Sequence, residues 1–262
     1  MKSLRIFRRP VGPFQNRKVS FVIAGTQKGG TSALGAYLRS HQEICMANLA
    51  EVHFFDKDDY FQQDEADYSI YHSCFSPKSS NHLLGETTPI YMYWYDAPRR
   101  IWRYNSRMKI IIILRNPIER AFSHWNMERD RGAEELSFWE AIQSEQERCR
   151  EALPYQHRVY SYIDRGFYAD QLRRVWHYFP REQTLILRNE ELRIRPKEAL
   201  EKVCNLLGVT PFQSVEERNV HSRPYVTSLE RNEKEFLRCV YEHEIKELER
   251  LLGWDCSAWL GG

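Results

Sequence analysis

Val19–Leu38 reads VSFVIAGTQKGGTSALGAYL, and its reading decides the fold. An apolar run through Val19, Phe21, Val22 and Ile23 ends at Ala24 and Gly25. The turn Gly25-Thr26-Gln27-Lys28-Gly29-Gly30 follows, then a helical pattern from Thr31 and Ser32 through Leu34, Tyr37 and Leu38. Strand, tight turn and helix together make a cradle for an anion. Glycines let the backbone come close, and the first N–H groups of a helix have no partner within it. Lys28 adds a formal positive charge inside the turn.

The ATP-binding P-loop reads G-x-x-x-x-G-K-[ST]. Gly25 and Gly30 keep that spacing, but Thr31 stands at the lysine position and the lysine lies inside the loop as Lys28. A second departure follows Ile110–Leu114, the most apolar strand pattern in the chain. A metal-using nucleotide hydrolase often places an acid near such a strand end to hold magnesium. Here the next residue is Arg115. Neutralisation by cationic side chains, with no metal, is the expectation.

A length of 262 residues fits one large α/β domain, and 42% hydrophobic residues suffice for its core. The net charge of +2 gives no pull towards nucleic acid and argues mildly against a heavily sulfated polymer as acceptor. Six widely spaced cysteines form no CxxC or zinc pattern. They read as reduced thiols of a cytoplasmic protein, with Cys239 and Cys256 the pair to check for a disulfide. No run is long enough to cross a membrane, and Met1–Pro13 lacks the apolar stretch of a signal peptide.

Residues 1–18, with Lys2, Arg5, Arg8, Arg9, Arg17 and Lys18, read as a solvated basic arm, and 19–262 as the domain. Short strands are expected around Ile44–Met46 and His82–Gly85, and longer ones at Lys109–Leu114 and Thr184–Leu187. Asn116 and Pro117 start a helix to about Arg129, with Glu119 spaced for a capping box. Further helices are expected from Pro98 to Tyr104, Phe138 to Ala152, Tyr168 to Tyr178, Pro196 to Leu207 and Ser228 to Leu252. Strands alternating with helices imply a single three-layer α/β/α domain around a central parallel sheet. Ligands of such sheets bind at the carboxyl ends of the strands.

Three stretches carry a resemblance to a known family. TQKGGTSAL resembles the 5′-phosphosulfate loop of sulfotransferases that use 3′-phosphoadenosine 5′-phosphosulfate (PAPS). LRNPIERAFSHW, Leu114 to Trp125, resembles their 3′-phosphate motif. EVHFFD, Glu51 to Asp56, resembles the heparan-sulfate-type branch and its bacterial relatives. The similarity runs from about Val19 to the C-terminal end, with the motifs in the family's order.

The resemblance implies a PAPS-dependent sulfotransferase that moves a sulfuryl group to a hydroxyl or amine and leaves adenosine 3′,5′-bisphosphate. Backbone N–H groups of Gly29, Gly30 and Thr31, with the hydroxyls of Thr31 and Ser32, would hold the 5′-phosphosulfate. Lys28 would face the bridging oxygen, where negative charge grows as sulfur is transferred. Glu51 is the candidate general base and His53 its rival or support. Arg115 and Ser123 would bind the 3′-phosphate, since a guanidinium matches phosphate bidentately. Read alone, Arg115 is a strand-end residue paired to a carboxylate and Ser123 an ordinary helix residue, and Arg120, on the helix of Ser123, is structural, facing Glu119 or its neighbours. Arg223, in Asn219–Pro224, would reach the cofactor phosphates, and Tyr168 begins a helix whose family counterpart lies beside the adenine.

One departure bears on the acceptor. The heparan-sulfate enzymes read E-K-T-P where this chain reads Glu86-Thr87-Thr88-Pro89, so Thr87 replaces a lysine. That substitution and the modest charge favour a small metabolite over a saccharide acceptor. Tyr91, Tyr93, Trp94 and Tyr95 are either core or lining of the acceptor site. The competing readings are an atypical P-loop kinase using ATP and magnesium, and a nucleotide-binding module without catalysis. No nucleic-acid or membrane partner is expected.

Overall fold

Five strands form one sheet: β1 (Phe21–Gly25), β2 (Ile44–Met46), β3 (Leu83–Thr87), β4 (Lys109–Leu114) and β5 (Thr184–Arg188). The computed structural model describes residues 17–63, 66–215 and 225–261. The strand order is β2-β3-β1-β4-β5, and each neighbouring pair is parallel. The helices are α1 (Thr31–Arg39), α2 (Ser69–His72), α3 (Ala97–Tyr104), α4 (Pro117–Asp130), α5 (Phe138–Arg150), α6 (Tyr168–Tyr178), α7 (Asn189–Ile194), α8 (Pro196–Leu207), α9 (Arg231–Leu252) and α10 (Ser257–Leu260).

Alternate strand residues point to opposite faces. Ile111 and Ile113 of β4 therefore join Phe21 and Ile23 of β1 in one core, with Leu34 of α1, Leu192 of α7 and Leu200 of α8. Ile110, Ile112 and Leu114 face the other core, with Val22 and Ala24 and residues of α3, α4, α5, α6 and α9. Covering both faces explains why β4 is continuously apolar rather than alternating. The expected three-layer α/β/α domain with a parallel sheet is the architecture observed.

Adjacent strands β1 and β4 are followed by helices on opposite faces, α1 on one and α4 on the other. The connections diverge there and open a crevice beyond the strand ends.

Local chemistry explains the boundaries. The Asn116 side chain accepts the Ile118 N–H at 3.0 Å and caps α4. The expected capping box at Glu119 does not form, because that carboxylate turns to Arg115 at 2.9 Å. Glu230 and Glu233 make the reciprocal box instead, so α9 starts at Arg231 rather than Ser228. Gly208, at φ 68°, ends α8.

All six cysteines are free; Cys239 is exposed and Cys256 buried, so the pair singled out for a disulfide is not joined. Of the basic arm, residues 1–16 lie outside the described residues. Arg17 is anchored rather than solvated, donating to the carbonyl of His82 at 2.7 Å. Among the described residues no helix is long and apolar enough to cross a membrane.

Candidate active site

The loop after β1 is tight because its backbone folds onto itself and onto β4. Thr26 N–H donates to Ile113 O at 3.0 Å, and Gly29 N–H to Thr26 O at 2.8 Å. A Cβ on Gly29 would lie 2.4 Å from Ile113 O, so only glycine fits. Lys28 takes φ 68° and Gly30 φ 106°, both in the left-handed region. Asn189 of α7 donates to Gly29 O at 2.8 Å and pins the loop from β5's side. Gly29's own N–H is thus spent within the turn, which corrects the expectation that it would face an anion. Gly30, Thr31 and Ser32 stand at the start of α1, where no side chain caps the helix and no acid occupies the first turn. That is the cradle expected of an anion site.

Lys28 is half-buried beside this cradle. Burial lowers its ammonium pKa, with Arg131 and Arg115 acting in the same direction against Tyr225 and Glu128. Arg115 at the end of β4 reaches across the crevice, 3.4 Å from the Lys28 carbonyl. It also pairs with Glu119, as its reading as a plain strand-end residue predicts.

Ser123 lies two turns into α4 and is buried. The Tyr225 phenol lies near both Ser123 and Arg115, which act on its titration. Burial alone would raise that phenol, but Ser123 and the charges of Arg115 and Lys28 outweigh it, and its pKa is lowered. A guanidinium, a hydroxyl and an ammonium thus lie around one acidic oxygen, a donor set that suits a phosphate. The residues present therefore fit a nucleotide phosphate.

A second cluster follows β2. His53 sits between two carboxylates, Nε2 at 2.9 Å from Glu51 and Nδ1 at 3.0 Å from Asp56. Its bond to Asp56 first, then that to Glu51, pushes the imidazole up to about 9, against burial. Asp56 is fully buried and also pairs with Arg158 at 2.6 Å. Arg158's carbonyl accepts from Arg165 at 2.7 Å, and Arg165 in turn bonds the Gln27 side chain in the loop after β1. One polar chain thus ties the Glu51 loop to the Lys28 loop.

Other expected residues are placed differently. Tyr168 is fully buried and donates to Arg115 O at 3.0 Å, so it fixes the strand end and offers no open face to an adenine. Arg120 is fully buried and bonds the carbonyl of Tyr162, a structural role as expected, though not towards Glu119. Tyr91, Tyr93 and Trp94 belong to the core, whereas Tyr95 is exposed. Thr87 is buried towards α1, its hydroxyl where a Cβ on Gly35 would come within 2.9 Å. Arg223 lies outside the described residues. Among the described residues no group of three or more His, Cys, Asp or Glu side chains is placed to hold a metal.

Asp56, Asn189, Arg165 and Tyr225 were not singled out from the sequence. Asp56 closes the EVHFFD stretch three residues after His53, a spacing that signals a shared imidazole. Asn189 and Arg165 carry no local pattern and come to the site only through the fold.

The family model described as "Sulfotransferase domain" matches residues 18–239. The Mus musculus bifunctional heparan sulfate N-deacetylase/N-sulfotransferase 3 is 31% identical over 213 residues, covering 77% of this chain and 24% of that protein. The Homo sapiens heparan sulfate glucosamine 3-O-sulfotransferase 6 is 30% identical over 204 residues, covering 76% of this chain and 54% of that protein. The chain thus spans about a quarter to about half the length of these curated relatives. A solved sulfotransferase from Alicyclobacillus acidocaldarius superimposes with a TM-score of 0.81 at 28% identity, covering 93% of this chain and 99% of that one.

Proposed function

The chain belongs to the sulfotransferase domain family, and from that premise we propose that it transfers a sulfuryl group from PAPS to a hydroxyl or amine of a small metabolite or saccharide. The observation that supports the choice of donor is the grouping of Arg115, Ser123 and Lys28 around the Tyr225 phenol. A 3′-phosphate needs such a site, and a nucleotide without one leaves it unused.

When bound, the nucleotide supplies an activated sulfuryl group on its 5′-phosphate. Arg115 and Ser123 hold the 3′-phosphate. The Gly30, Thr31 and Ser32 end of α1 receives the 5′ end, with the hydroxyls of Thr31 and Ser32 as further donors. Lys28 opposes the charge that develops on the departing phosphate oxygen. Glu51 removes the acceptor proton as the new bond to sulfur forms and the old sulfur–oxygen bond breaks in line. His53, protonated between Glu51 and Asp56, orients that carboxylate. The near-neutral net charge of +2 and Thr87 favour a small acceptor over a polyanionic chain.

Labelled PAPS tests this reading. Glu51→Gln is expected to lower turnover by about 10²–10⁴-fold. Calorimetric binding of adenosine 3′,5′-bisphosphate should stay close to wild type, because Glu51 serves the acceptor. An active Glu51→Gln protein together with a dead His53→Ala protein would assign the base to histidine. A wild-type protein that neither binds the bisphosphate nor turns over PAPS would sink the proposal.

A further inference from the structure

Glu51 and His53 sit on a short stretch with no secondary structure of its own, and its anchoring is specific. Four consecutive backbone N–H groups in it are held by two hydroxyls. Val52 and His53 donate to Thr88 Oγ1 at 3.0 and 3.4 Å. Phe54 and Phe55 donate to the Tyr91 hydroxyl at 3.0 and 3.4 Å.

Both hydroxyls lie against one carboxylate. Thr88 donates to Glu86 Oε2 at 2.6 Å, and the Tyr91 phenol acts on the same group. Tyr71 donates to Glu86 Oε1 at 2.9 Å. Glu86 is fully buried at the end of β3, the strand between β1 and β2. Burial pushes its carboxyl up to about 7, against the hydroxyls of Thr88, Tyr71 and Tyr91.

His53 itself has φ 52°, a left-handed conformation that a non-glycine residue keeps only where its surroundings hold it. The backbone bonds from Thr88 act at that residue. We infer that Glu86, through the hydroxyls of Thr88 and Tyr91, is the positioning device for the Glu51–His53 pair: it fixes their backbone so that the imidazole meets both carboxylates. Its consequence for turnover rests on the sulfuryl-transfer reading; its consequence for His53 does not.

A buried carboxyl suits this task. In its ionised form it contributes only acceptors, and Thr88 turns its proton towards Glu86 and its lone pairs towards the loop. An apolar side chain at position 88 leaves two loop N–H groups without that acceptor, and the bond of His53 to its neighbours loosens. Displacement of about 1 Å at a reacting group costs roughly a hundred-fold in rate.

The test is Thr88→Val, which keeps the shape and removes the hydroxyl, with Thr88→Ser as the variant that restores it. Two readouts are followed: steady-state kinetics with PAPS, and the titration of the His53 imidazole by NMR. Thr88→Val is expected to lower kcat about ten- to a hundred-fold with the KM for PAPS nearly unchanged. The His53 midpoint should fall from about 9 towards 6.5. Thr88→Ser should recover both, and Glu86→Gln should move His53 in the same direction as Thr88→Val. An unmoved His53 midpoint in both Thr88→Val and Glu86→Gln, even with a lowered melting temperature, overturns the inference, because the network then only packs. Absence of PAPS turnover in the wild type would instead overturn the proposed function, and the NMR titration would still decide the positioning.

Discussion

His53 decides how the reaction depends on pH. The sequence leaves Glu51 and His53 as rival bases, since a carboxylate and an imidazole two residues apart both satisfy the motif. The geometry separates them: His53 lies between Glu51 and Asp56 and keeps its proton to about 9. A protonated imidazole accepts nothing, so on the proposed reading Glu51 is the base and His53 its clamp. Turnover should then hold through neutral pH and fall as His53 loses its proton near 9. A histidine base requires the opposite, a rise through the same range, and a kcat–pH profile distinguishes the two. Stability follows the same group. The folded value lies above the ordinary 6.5, so the contribution is fully present below 6.5 and lost as pH rises through about 9. Denaturant titrations of His53→Ala should therefore show a larger deficit at about pH 6 than at about pH 10.

The elements that make the site are those the sequence shows most openly. The strand, turn and helix from Phe21 to Arg39 are legible because apolar spacing and glycines specify each part. The same holds for β4, Asn116 and α4. Short pieces such as α7 and α10 escape notice, because four to six residues carry too little periodicity. The distant partners are equally hidden. Thr88 is an ordinary residue before a proline until β3 places it over the Glu51 loop, and Tyr225 has no pattern linking it to α4. Its contact there carries its own expectation. On the proposed reading the phenol of Tyr225, beside Ser123 and Arg115, competes with a 3′-phosphate. Tyr225→Phe removes that competitor; if its net hold on the empty site is that of one hydrogen bond, the change is about 0.5–1.5 kcal/mol. Adenosine 3′,5′-bisphosphate should bind about three- to ten-fold more tightly to the variant by calorimetry. Weaker binding would mean that the hydroxyl stays and contributes to the bound site.

Across the whole molecule, the chemistry gathers at the carboxyl ends of the strands, where α1 and α4 leave adjacent strands for opposite faces. A cavity of about 460 Å3 lies elsewhere, against α5 and Phe236 of α9, and neither Lys28, Glu51, His53, Arg115 nor Ser123 lines it. The crevice brings together Lys28, after β1, and Arg115, after β4, and the carboxylate beside that strand end, Glu119, is paired with Arg115. Charge on the nucleotide is then neutralised by the protein, so turnover should be indifferent to a chelator. On the proposed reading, Arg115 and Ser123 also discriminate among nucleotides. A charge-assisted hydrogen bond to a 3′-phosphate is worth about 1.5–3 kcal/mol, so roughly ten- to a hundred-fold in affinity. The bisphosphate should therefore bind that much more tightly than AMP, without magnesium. Arg115→Ala should erase most of the preference and leave AMP binding little changed, since AMP lacks the group that Arg115 holds. Equal affinity for AMP and the bisphosphate, or binding of ATP that requires magnesium, would remove the case for PAPS and restore the kinase reading.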